Sequence, residues 1–200
     1  MCVTELRLVL ASTSVYRKEL LSRLGLPFET AAPTVDETAR EGELPEQLVR
    51  RLAEAKARAV SMRYHDGLII GSDQVAALDG RILGKPGSHH AASEQLSAAA
   101  GRRLTFLTGL CLLNARRGTA EVDVVTSAVI FRPLNEAQID TYLRKERPYH
   151  CAGAFKSEAL GIALCERVEG DDPTALIGLP LIRLVAMLAA EGIDVLSSHA

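Results

Sequence analysis

The sequence predicts an α/β fold in a single domain, on the basis of three observations. Apolar, strand-like runs alternate along the chain with segments whose apolar residues recur at helical spacing. With 200 residues, 48% of them hydrophobic, the chain is long enough to bury a sizeable core. No internal repeat or low-complexity linker divides it. We therefore interpret 1–200 as one unit and expect about 1–5 and 197–200 to be flexible.

The elements of the first half are predicted in chain order. Residues Leu6–Ser12 are apolar and predict a strand, and the helix that begins near Val15 ends at Gly25. Pro45 opens a second helix, as proline often does at a first helical position. Four of its residues are expected on the buried face: Leu48, Leu52, Ala55 and Ala59.

A hairpin follows in the segment GSDQVAALDGRILGKP, residues 71–86. The pair Asp79-Gly80 between two apolar runs is typical of a two-residue turn. Pairing backward from this turn would put Gln74 opposite Lys85, with Asp73 one step away. An acid, an amide and an ammonium group would then meet at the open end of the hairpin, which suggests a site.

The second half predicts three helices and three strands. A helix near Ala91–Ala100 precedes two long strands joined at Arg117-Gly118. Asn135, three residues before a glutamine, forms a fair capping box for the next helix. The run Ala159–Val168 predicts a short strand, and Pro180 starts the last helix. The apolar stripe of that helix is expected at Leu181, Leu184, Val185 and Leu188.

Composition argues against several classes of partner. The net charge is −2 and both signs are interspersed, so no basic stripe indicates a stable nucleic-acid partner. No apolar run is long enough for a membrane span, and the N-terminal LRLVLA is too short and weakly basic for a signal peptide. Four scattered cysteines without a CxxC pair predict reduced thiols rather than zinc, with Cys111 and Cys165 in the core. A cytoplasmic location is expected.

The turn between the first strand and first helix is a candidate anion site. Ser12, Thr13 and Ser14 lie where backbone N–H groups and the positive end of the helix dipole would face a ligand. Arg17 in the first helical turn could clamp a phosphate. The alternative is that Ser14 only caps the helix and Arg17 lies in solvent.

Other charged residues also admit two interpretations. Asp36 and Glu37 follow Pro33 in a polar loop and could hold a metal or be solvated. Lys56 lies in a helix otherwise lined with alanine and leucine, where a snorkelling surface lysine is the default. Taken singly, each of these residues is a weak signal.

Taken in order, the motifs have a specific pattern. The chain carries S-x-S-x-x-R-x-x-L-L, V-D-E, E-A-K-A, S-D-Q, G-K-P, F-K-S-E-x-x-G and G-L-P-L, and in this it resembles the Maf family of nucleoside triphosphate pyrophosphatases. The resemblance extends from about Leu6 to about Gly192. S-D-Q together with A-G-A-F-K-S-E resembles the branch that acts on 7-methyl-GTP. The dTTP and UTP branch would carry threonine after the aspartate and a Q-G-K-A-like element later.

The resemblance implies a fold and a reaction. The fold would be inosine-triphosphatase-like, with an elongated mixed sheet flanked by helices and two lobes around a deep cleft. The reaction would cleave the bond between the α- and β-phosphates of 7-methyl-GTP, giving 7-methyl-GMP and pyrophosphate and removing a modified nucleotide from the pool. A divalent cation (Mg²⁺, Mn²⁺ or Co²⁺) would be required, and a homodimer is possible.

The same resemblance assigns roles to the polar residues. Asp73 would be the proton acceptor for the attacking water, although the sequence alone does not separate this role from metal ligation. Glu37 and Asp73 would hold the cation through oxygen ligands, the type that Mg²⁺ and Mn²⁺ prefer. The expected phosphate ligands and catalytic cations are Arg17, Lys56 and Lys85, with Ser12 and Ser14 as neutral donors and Lys18 and Lys156 as helpers.

Base selection is expected from Tyr16, Gln74 and Glu158. A 7-methylated guanine is cationic, so it favours an aromatic face and a carboxylate that accepts from its N–H groups. Relatives in this branch would carry tryptophan at position 16, and tyrosine offers a smaller π-face. Without the motifs, Tyr16 and Glu158 would be interpreted as a half-buried tyrosine and a surface glutamate.

Two alternative functions remain open at the level of sequence. One is a pyrophosphatase for dTTP, UTP or other modified nucleotides. The other is a nucleotide-binding regulator of septum formation with little turnover, since the family is associated with cell division. The paired acids Glu37 and Asp73 favour an enzyme, because binding a polyanion does not need them.

Overall fold

The computed structural model describes residues 7–197, so most of the termini predicted to be flexible lie outside the described residues. Its helices and strands, in chain order, are β1 Leu8–Leu10, α1 Val15–Ser22, β2 Glu29–Thr30, α2 Pro45–Ser61, β3 Leu68–Leu78, β4 Arg81–Leu83, α3 His89–Ala99, β5 Arg103–Asn114, β6 Thr119–Phe131, α4 Glu136–Glu146, β7 Cys165–Glu169 and α5 Leu181–Ala190. Short 3₁₀ turns occur at Ala152–Ala154, Leu160–Leu164 and Ala175–Ile177.

The strands form one mixed sheet in the order β2-β1-β3-β5-β6-β7, with β4 also paired to β3. Strands β2 and β3 run parallel to β1, whereas β4 to β7 pair antiparallel with their neighbours. The α/β class and the mixed sheet flanked by helices are therefore confirmed. No helix within 7–197 is both long and apolar enough to cross a membrane. The division into two lobes stays a prediction.

One edge of β3 is interrupted, and this interruption positions the site. β1 pairs with residues 68–70 and β4 pairs with residues 76–78, while β5 pairs along the opposite edge. Residues 71–75 of β3 therefore have an open edge between β1 and β4, which we call the β3 gap. Because successive side chains of a strand point to opposite faces, Asp73 and Gln74 leave the sheet on different faces yet both adjoin this gap.

Helix α2 packs very closely on one face of the sheet, and two glycines permit this. A Cβ atom on Gly71 would lie 2.0 Å from the carbonyl oxygen of Ala53, and one on Gly109 would lie 2.2 Å from that of Val49. Both distances are below any normal contact, so a side chain at either position would push α2 away from the sheet.

The opposite face is covered by the other helices. Near β1, leucines of α1 and α5 bury Ile70 and Leu110. Toward the other end of the sheet, α3 and α4 pack around Phe106 and Phe131. The G-K-P loop and the segment before β7 emerge beside this second cluster, near the β3 gap.

Several local predictions need correction. The buried face of α2 includes Lys56, whereas Ala55 is half-buried and Ala59 exposed. The predicted face was displaced because Lys56, as a charged residue, was expected to lie outside the buried face of α2. In α5, Met187 is buried where Val185 was expected and Val185 is only half-buried. Cys111 is buried as predicted, but Cys165 is half-buried.

The hairpin prediction was correct at the turn and wrong at the open end. Asp79 and Gly80 have φ values of 48° and 79°, as a tight two-residue turn requires. The ladder, however, stops at the pair Ala76–Leu83, so Gln74 and Lys85 are not partners. Gly84 and Lys85 lie beyond the last pair, and Pro86 has no N–H group with which to continue the ladder.

The predicted strand at Ala159–Val168 was also too long. A 3₁₀ turn occupies Leu160–Leu164, and β7 begins only at Cys165. A Cβ on Gly161 would lie 2.2 Å from the carbonyl oxygen of Lys156, which shows how tightly the chain folds back there. Apolar composition did not distinguish this compact turn from a strand.

Candidate active site

A cavity of about 470 Å³ adjoins the β3 gap. It contains most of the predicted residues: Ser12, Ser14, Tyr16, Arg17, Glu37, Lys56, Gln74, Lys85 and Glu158. Asp73 lines a second cavity of about 330 Å³ that shares Arg17, Glu37, Lys56, Gln74 and Lys85 with the first. Ligand sites in proteins commonly span about 300–1,000 Å³, so the cavity is large enough for a nucleotide.

A buried lysine links the two candidate metal ligands. Lys56 Nζ lies 2.6 Å from Asp73 Oδ1 and 2.7 Å from Glu37 Oε1. Lys56 is only 6% exposed and Asp73 only 8%, whereas the Glu37 side chain is 49% exposed. The snorkelling interpretation of Lys56 is therefore wrong. A lysine is rarely buried unless it is paired, and here two carboxylates pair with it.

Packing of α2 explains how Lys56 reaches Asp73. Lys56 lies one turn beyond Leu52 on the face of α2 that contacts the sheet. Gly71 and Gly109 let the helix backbone approach β3 closely enough for its ammonium group to meet a strand carboxylate. The sequence shows neither this approach nor the resulting burial.

The surrounding charges perturb two pKa values. Partial burial opposes ionisation of Glu37, but the hydrogen bond from Lys56 and the charges of Lys56, Lys85 and Arg17 outweigh it, so the pKa of Glu37 is lowered. Burial lowers the pKa of Arg17, and the carboxylates of Asp73 and Glu37 oppose that effect. A guanidinium group is effectively always protonated in proteins, so Arg17 is treated as a cation.

The first loop provides donors at the N-terminus of α1. Ser14 caps the helix, accepting from the backbone N–H of Arg17 at 3.4 Å, and its own N–H donates to Ser12 Oγ at 3.1 Å. Both serines also line the cavity. Ser14 therefore caps α1 and lines the cavity at the same time. Arg17 is not a solvent side chain, because its Nε donates to the carbonyl of Gly178 at 2.8 Å.

The remaining candidate cations differ in position. Lys85 Nζ lies 3.9 Å from Glu37 Oε2 and its side chain is largely exposed, so it can move toward a ligand. Lys156 instead donates to the backbone carbonyl of Glu146 at 3.0 Å. Neither Lys156 nor Lys18 is among the residues that line the two cavities.

The predicted base-selecting residues occupy different settings. Tyr16 is half-buried and Glu158 is exposed, and both line the cavity. Gln74 is the most constrained of the three, because its amide nitrogen donates to Thr108 Oγ1, to the carbonyl of Ala175 and to that of Leu176. These bonds measure 2.9, 2.8 and 3.1 Å.

Two further groups of residues belong to the site and were not assigned a role from the sequence. The first is the segment Thr174–Gly178, whose Leu176 and Ile177 line the cavity. The second is the stretch from His150 to Phe155, which contributes four lining residues: His150, Cys151, Ala152 and Phe155. The G-L-P-L and A-G-A-F-K-S-E motifs overlap or adjoin these segments, and those motifs were the available signal.

The carboxylate pair fits a hard divalent cation. Oxygens of Glu37 and Asp73 already converge on one positive atom, Lys56 Nζ. No group of three or more His, Cys, Asp or Glu residues suited to a metal occurs in the described part of the chain. Mg²⁺ commonly uses only one or two protein carboxylates, with water and substrate phosphates completing the shell. The donor set is therefore adequate for such an ion in the presence of a nucleotide.

Comparisons with known proteins agree with the motif pattern. A family model described as "Maf-like protein" matches residues 7–191. A protein named 7-methyl-GTP pyrophosphatase from Nitrosococcus oceani is 57% identical over 189 residues, covering 94% of this chain and 95% of that protein. Proteins of the same name from Pseudomonas syringae pv. tomato and Thiobacillus denitrificans are 56% and 57% identical, covering 94% and 95% of this chain and 98% and 94% of their own lengths.

Among solved structures, that of the Staphylococcus aureus Ham1 protein matches with a TM-score of 0.45 and 19% identity, over 62% of this chain and 71% of that one. The family match spans nearly the whole described chain, and the sequence relatives are similar over nearly their full lengths. The chain belongs to the Maf family.

Proposed function

We propose that this protein is a nucleoside triphosphate pyrophosphatase that hydrolyses 7-methyl-GTP to 7-methyl-GMP and pyrophosphate, removing a modified nucleotide from the pool. The observation that carries the proposal is the Lys56-bridged pair of carboxylates, Glu37 and Asp73, beside two further cations in a nucleotide-sized cavity. Relatives that are 56–57% identical carry the name of this activity.

Binding of the triphosphate is assigned to three positive elements. The N-terminus of α1 supplies backbone N–H groups and a favourable dipole beside Ser12 and Ser14. Arg17 offers a planar fork for two phosphate oxygens, and exposed Lys85 offers a mobile point charge. These groups stabilise negative charge that develops on the phosphates as the α–β bond breaks.

Proton transfer is assigned to Asp73. Lys56 donates to its Oδ1, so the second carboxylate oxygen remains to accept a proton from the attacking water. Lys56 also fixes the orientation of the carboxylate, because the lysine itself is held between Asp73 and Glu37.

A divalent cation, Mg²⁺, Mn²⁺ or Co²⁺, is part of the proposal. Glu37 and Asp73 are the residues that would hold it. When bound, such an ion neutralises charge on the phosphate oxygens and on the pyrophosphate leaving group. Lys56, held between the two carboxylates, adds positive charge beside the proposed position of the substrate phosphates.

Recognition of the base is assigned to Tyr16 and Glu158. A cationic methylated ring is attracted to the face of an aromatic side chain. A carboxylate matches the two adjacent donors on the edge of guanine, whereas uracil has a single ring N–H. Both residues line the same cavity as Arg17.

The test is incubation of the protein with 7-methyl-GTP, GTP, dTTP and UTP, with and without Mg²⁺ or Mn²⁺, followed by separation of products. We expect monophosphate and pyrophosphate, the highest kcat/KM with 7-methyl-GTP, and loss of turnover in chelator. Diphosphate and orthophosphate as initial products would reject the proposed bond. A preference for dTTP or UTP would support the alternative hypothesis, a pyrophosphatase for those nucleotides.

A nucleotide-binding regulator with little turnover is the alternative from another class. Glu37 and Asp73 support the enzyme instead, because two carboxylates beside the proposed phosphate site weaken binding of a negatively charged ligand. Their presence is explained if they take part in the hydrolysis. Tight binding of 7-methyl-GTP without release of any product would favour the regulator. A cytoplasmic location and a homodimer remain predictions, to be checked by cell fractionation and by light scattering.

A further inference from the structure

The carbonyl oxygen of Gly178 holds two side chains at once. Arg17 Nε donates to it at 2.8 Å and Ser72 Oγ at 2.9 Å. Ser72 is completely buried and lines neither cavity, so it has no direct access to a ligand. A guanidinium has five N–H donors, and with Nε engaged its two terminal amino groups remain for a phosphate. Ser72 therefore holds the acceptor against which Arg17 is oriented.

The carbonyl of Ala175 repeats this arrangement. Gln74 Nε2 donates to it at 2.8 Å and Thr108 Oγ1 at 2.9 Å. Thr108 is 1% exposed and lines neither cavity. Within residues 7–197, nothing donates to Gln74 Oε1. Flipping the amide would place Oε1 against the carbonyl oxygens of Ala175 and Leu176, and two acceptors cannot form a hydrogen bond. The amide group therefore keeps its orientation, and the atom that Gln74 can offer to a ligand is the acceptor Oε1.

The same pattern thus occurs twice: a buried hydroxyl, a carbonyl of segment Thr174–Gly178, and a side chain that lines the cavity. Ser72 lies two residues before Gln74 on the same face of β3, and Thr108 pairs with Gln74 across the sheet. Gly178, whose carbonyl accepts from both Arg17 and Ser72, has a φ of +122°, a backbone conformation that favours glycine.

We propose that Ser72 and Thr108 are positioning residues for nucleotide binding. Ser72 acts on the phosphates through Arg17, and Thr108 acts on a hydrogen-bond donor of the nucleoside through Gln74. The donor is an N–H of the base or a hydroxyl of the ribose. This inference rests on the proposed function for the identity of the nucleotide, but the phosphate-binding part of it is independent of which bond is cleaved.

The two hydroxyls have separable effects. In Ser72→Ala, KM should rise by roughly 3- to 10-fold for 7-methyl-GTP, GTP and UTP alike, the scale of one hydrogen bond, with kcat within about 2-fold. In Thr108→Val, the wild-type preference for 7-methyl-GTP over analogues that lack one donor should shrink by a similar factor. The analogues are 7-methyl-ITP, without the exocyclic amine, and the 2′- and 3′-deoxy forms, so the affected analogue identifies the source of the donor.

Matched variants separate positioning from a general loss of packing. Thr108→Ser keeps the hydroxyl and should restore wild-type ratios. Thr105→Val makes the same change on the same strand, where Arg103 is the only described residue that donates to the hydroxyl. Ser127→Ala removes another buried hydroxyl, which has no hydrogen-bond partner among the described residues. Both control variants should leave KM and all substrate ratios unchanged.

A binding measurement completes the test. Titration calorimetry with inorganic tripolyphosphate should show affinity reduced roughly 3- to 10-fold in Ser72→Ala and unchanged in Thr108→Val. If both variants match the controls in KM, substrate ratios and tripolyphosphate affinity, the inference is overturned. It is also overturned if they change only the melting temperature or kcat. Failure of the wild type to hydrolyse any nucleotide would reject the proposed function, while the tripolyphosphate arm would still test Ser72.

Discussion

Two walls of the candidate site, which spans both adjoining cavities, differ in how firmly their residues are held. We define the phosphate wall as Arg17, Glu37, Lys56, Asp73 and Lys85, and the nucleoside wall as Tyr16, His150, Phe155 and Glu158. In the phosphate wall, one buried lysine joins two carboxylates at 2.6 and 2.7 Å, and Arg17 is tied to a backbone carbonyl.

The polar side chains of the nucleoside wall are held much less firmly. Glu158 is exposed and receives one long hydrogen bond, from Ser157 at 3.4 Å. Tyr16 makes no side-chain hydrogen bond to any residue within 7–197. Removing one member of a buried ion network leaves an unpaired charge, whereas changing an exposed side chain costs little stability. We therefore expect substitutions in the phosphate wall to affect both stability and the proposed reaction, and substitutions in the nucleoside wall to change the choice of base with little effect on stability.

The largest expected effect comes from the phosphate wall. Asp73→Asn keeps the shape of the side chain and removes the proposed proton acceptor, so we expect kcat to fall by roughly 10²-fold or more. The assay is initial rate with 7-methyl-GTP, together with the circular dichroism spectrum, which should be unchanged.

A matched control exists in the turn that follows the same strand. Asp79→Asn changes an exposed turn aspartate that pairs with Arg102, and asparagine also suits the left-handed conformation there. Activity should stay at the wild-type level. Near-full activity in Asp73→Asn would overturn the assignment of the phosphate wall.

The second-largest effect is expected at Gly71, where α2 packs against β3 behind the phosphate wall. In Gly71→Ala, the new Cβ would lie 2.0 Å from the carbonyl oxygen of Ala53, so α2 must move and the position of Lys56 with it. We expect a loss of about 1–3 kcal/mol in the free energy of unfolding, measured in urea, and a lower kcat.

Gly84→Ala is the matched control for this change. No atom lies within 4 Å of a Cβ at that position, and its φ is not in the left-handed range. Its unfolding midpoint should equal that of the wild type. Equal stability of Gly71→Ala and Gly84→Ala would show that the close approach of α2 is not required.

In the nucleoside wall, Glu158→Gln should change selectivity with little effect on stability. The amide still accepts a hydrogen bond but carries no charge, so about 1–3 kcal/mol of preference for 7-methyl-GTP over UTP should be lost. The ratio of the two kcat/KM values measures this. Glu166→Gln, an exposed change on β7 outside both cavities, is the control. An unchanged ratio in Glu158→Gln would reject its role in base selection.

Tyr16→Ala should have a smaller and more specific effect. Loss of the ring should narrow the gap between 7-methyl-GTP and GTP by about 0.5–1 kcal/mol, because only the methylated base is cationic. Tyr16→Phe keeps a π-face and should keep most of the gap. A similar loss for both nucleotides in Tyr16→Ala would indicate simple packing instead of a cation–π contact.

The smallest effect concerns acid stability at Glu37. Its pKa is lowered in the folded state, because the hydrogen bond and charge of Lys56 and its cationic neighbours outweigh partial burial. The stabilisation is therefore present above the ordinary value of 4.5 and is lost as pH falls through the lowered pKa. The melting temperature of the wild type should exceed that of Glu37→Gln at pH 7, and the difference should shrink as the pH is lowered below 4.5. A difference that grows in acid would contradict this sign.

Local elements were predictable because short-range rules control them. The turn at Asp79-Gly80 follows from the need for positive φ at two successive residues. The capping box of Asn135 and Gln138 is formed as the residue types indicate, with bonds of 2.9 and 3.0 Å. Helix α2 begins at Pro45 for a similarly local reason.

The candidate site was predictable in its list of residues but not in its internal contacts. The ordered motifs predicted that Arg17, Glu37, Asp73 and Lys85 belong to one site, and all four line the cavity of about 330 Å³. Composition nevertheless favoured a surface position for Lys56, since an isolated lysine is expensive to bury. The partners that make its burial possible lie 19 residues before it and 17 after it in the sequence.

The amino-acid sequence alone establishes the α/β class, the family and most of the polar residues that line the cavity, because these depend on residue types and local spacing. The close approach of α2 at Gly71, the β3 gap and the two carbonyls of segment Thr174–Gly178 that orient Arg17 and Gln74 emerge only in three dimensions. Each of them joins residues distant in sequence through packing or a backbone hydrogen bond, and neither kind of contact leaves a periodic signal in the chain.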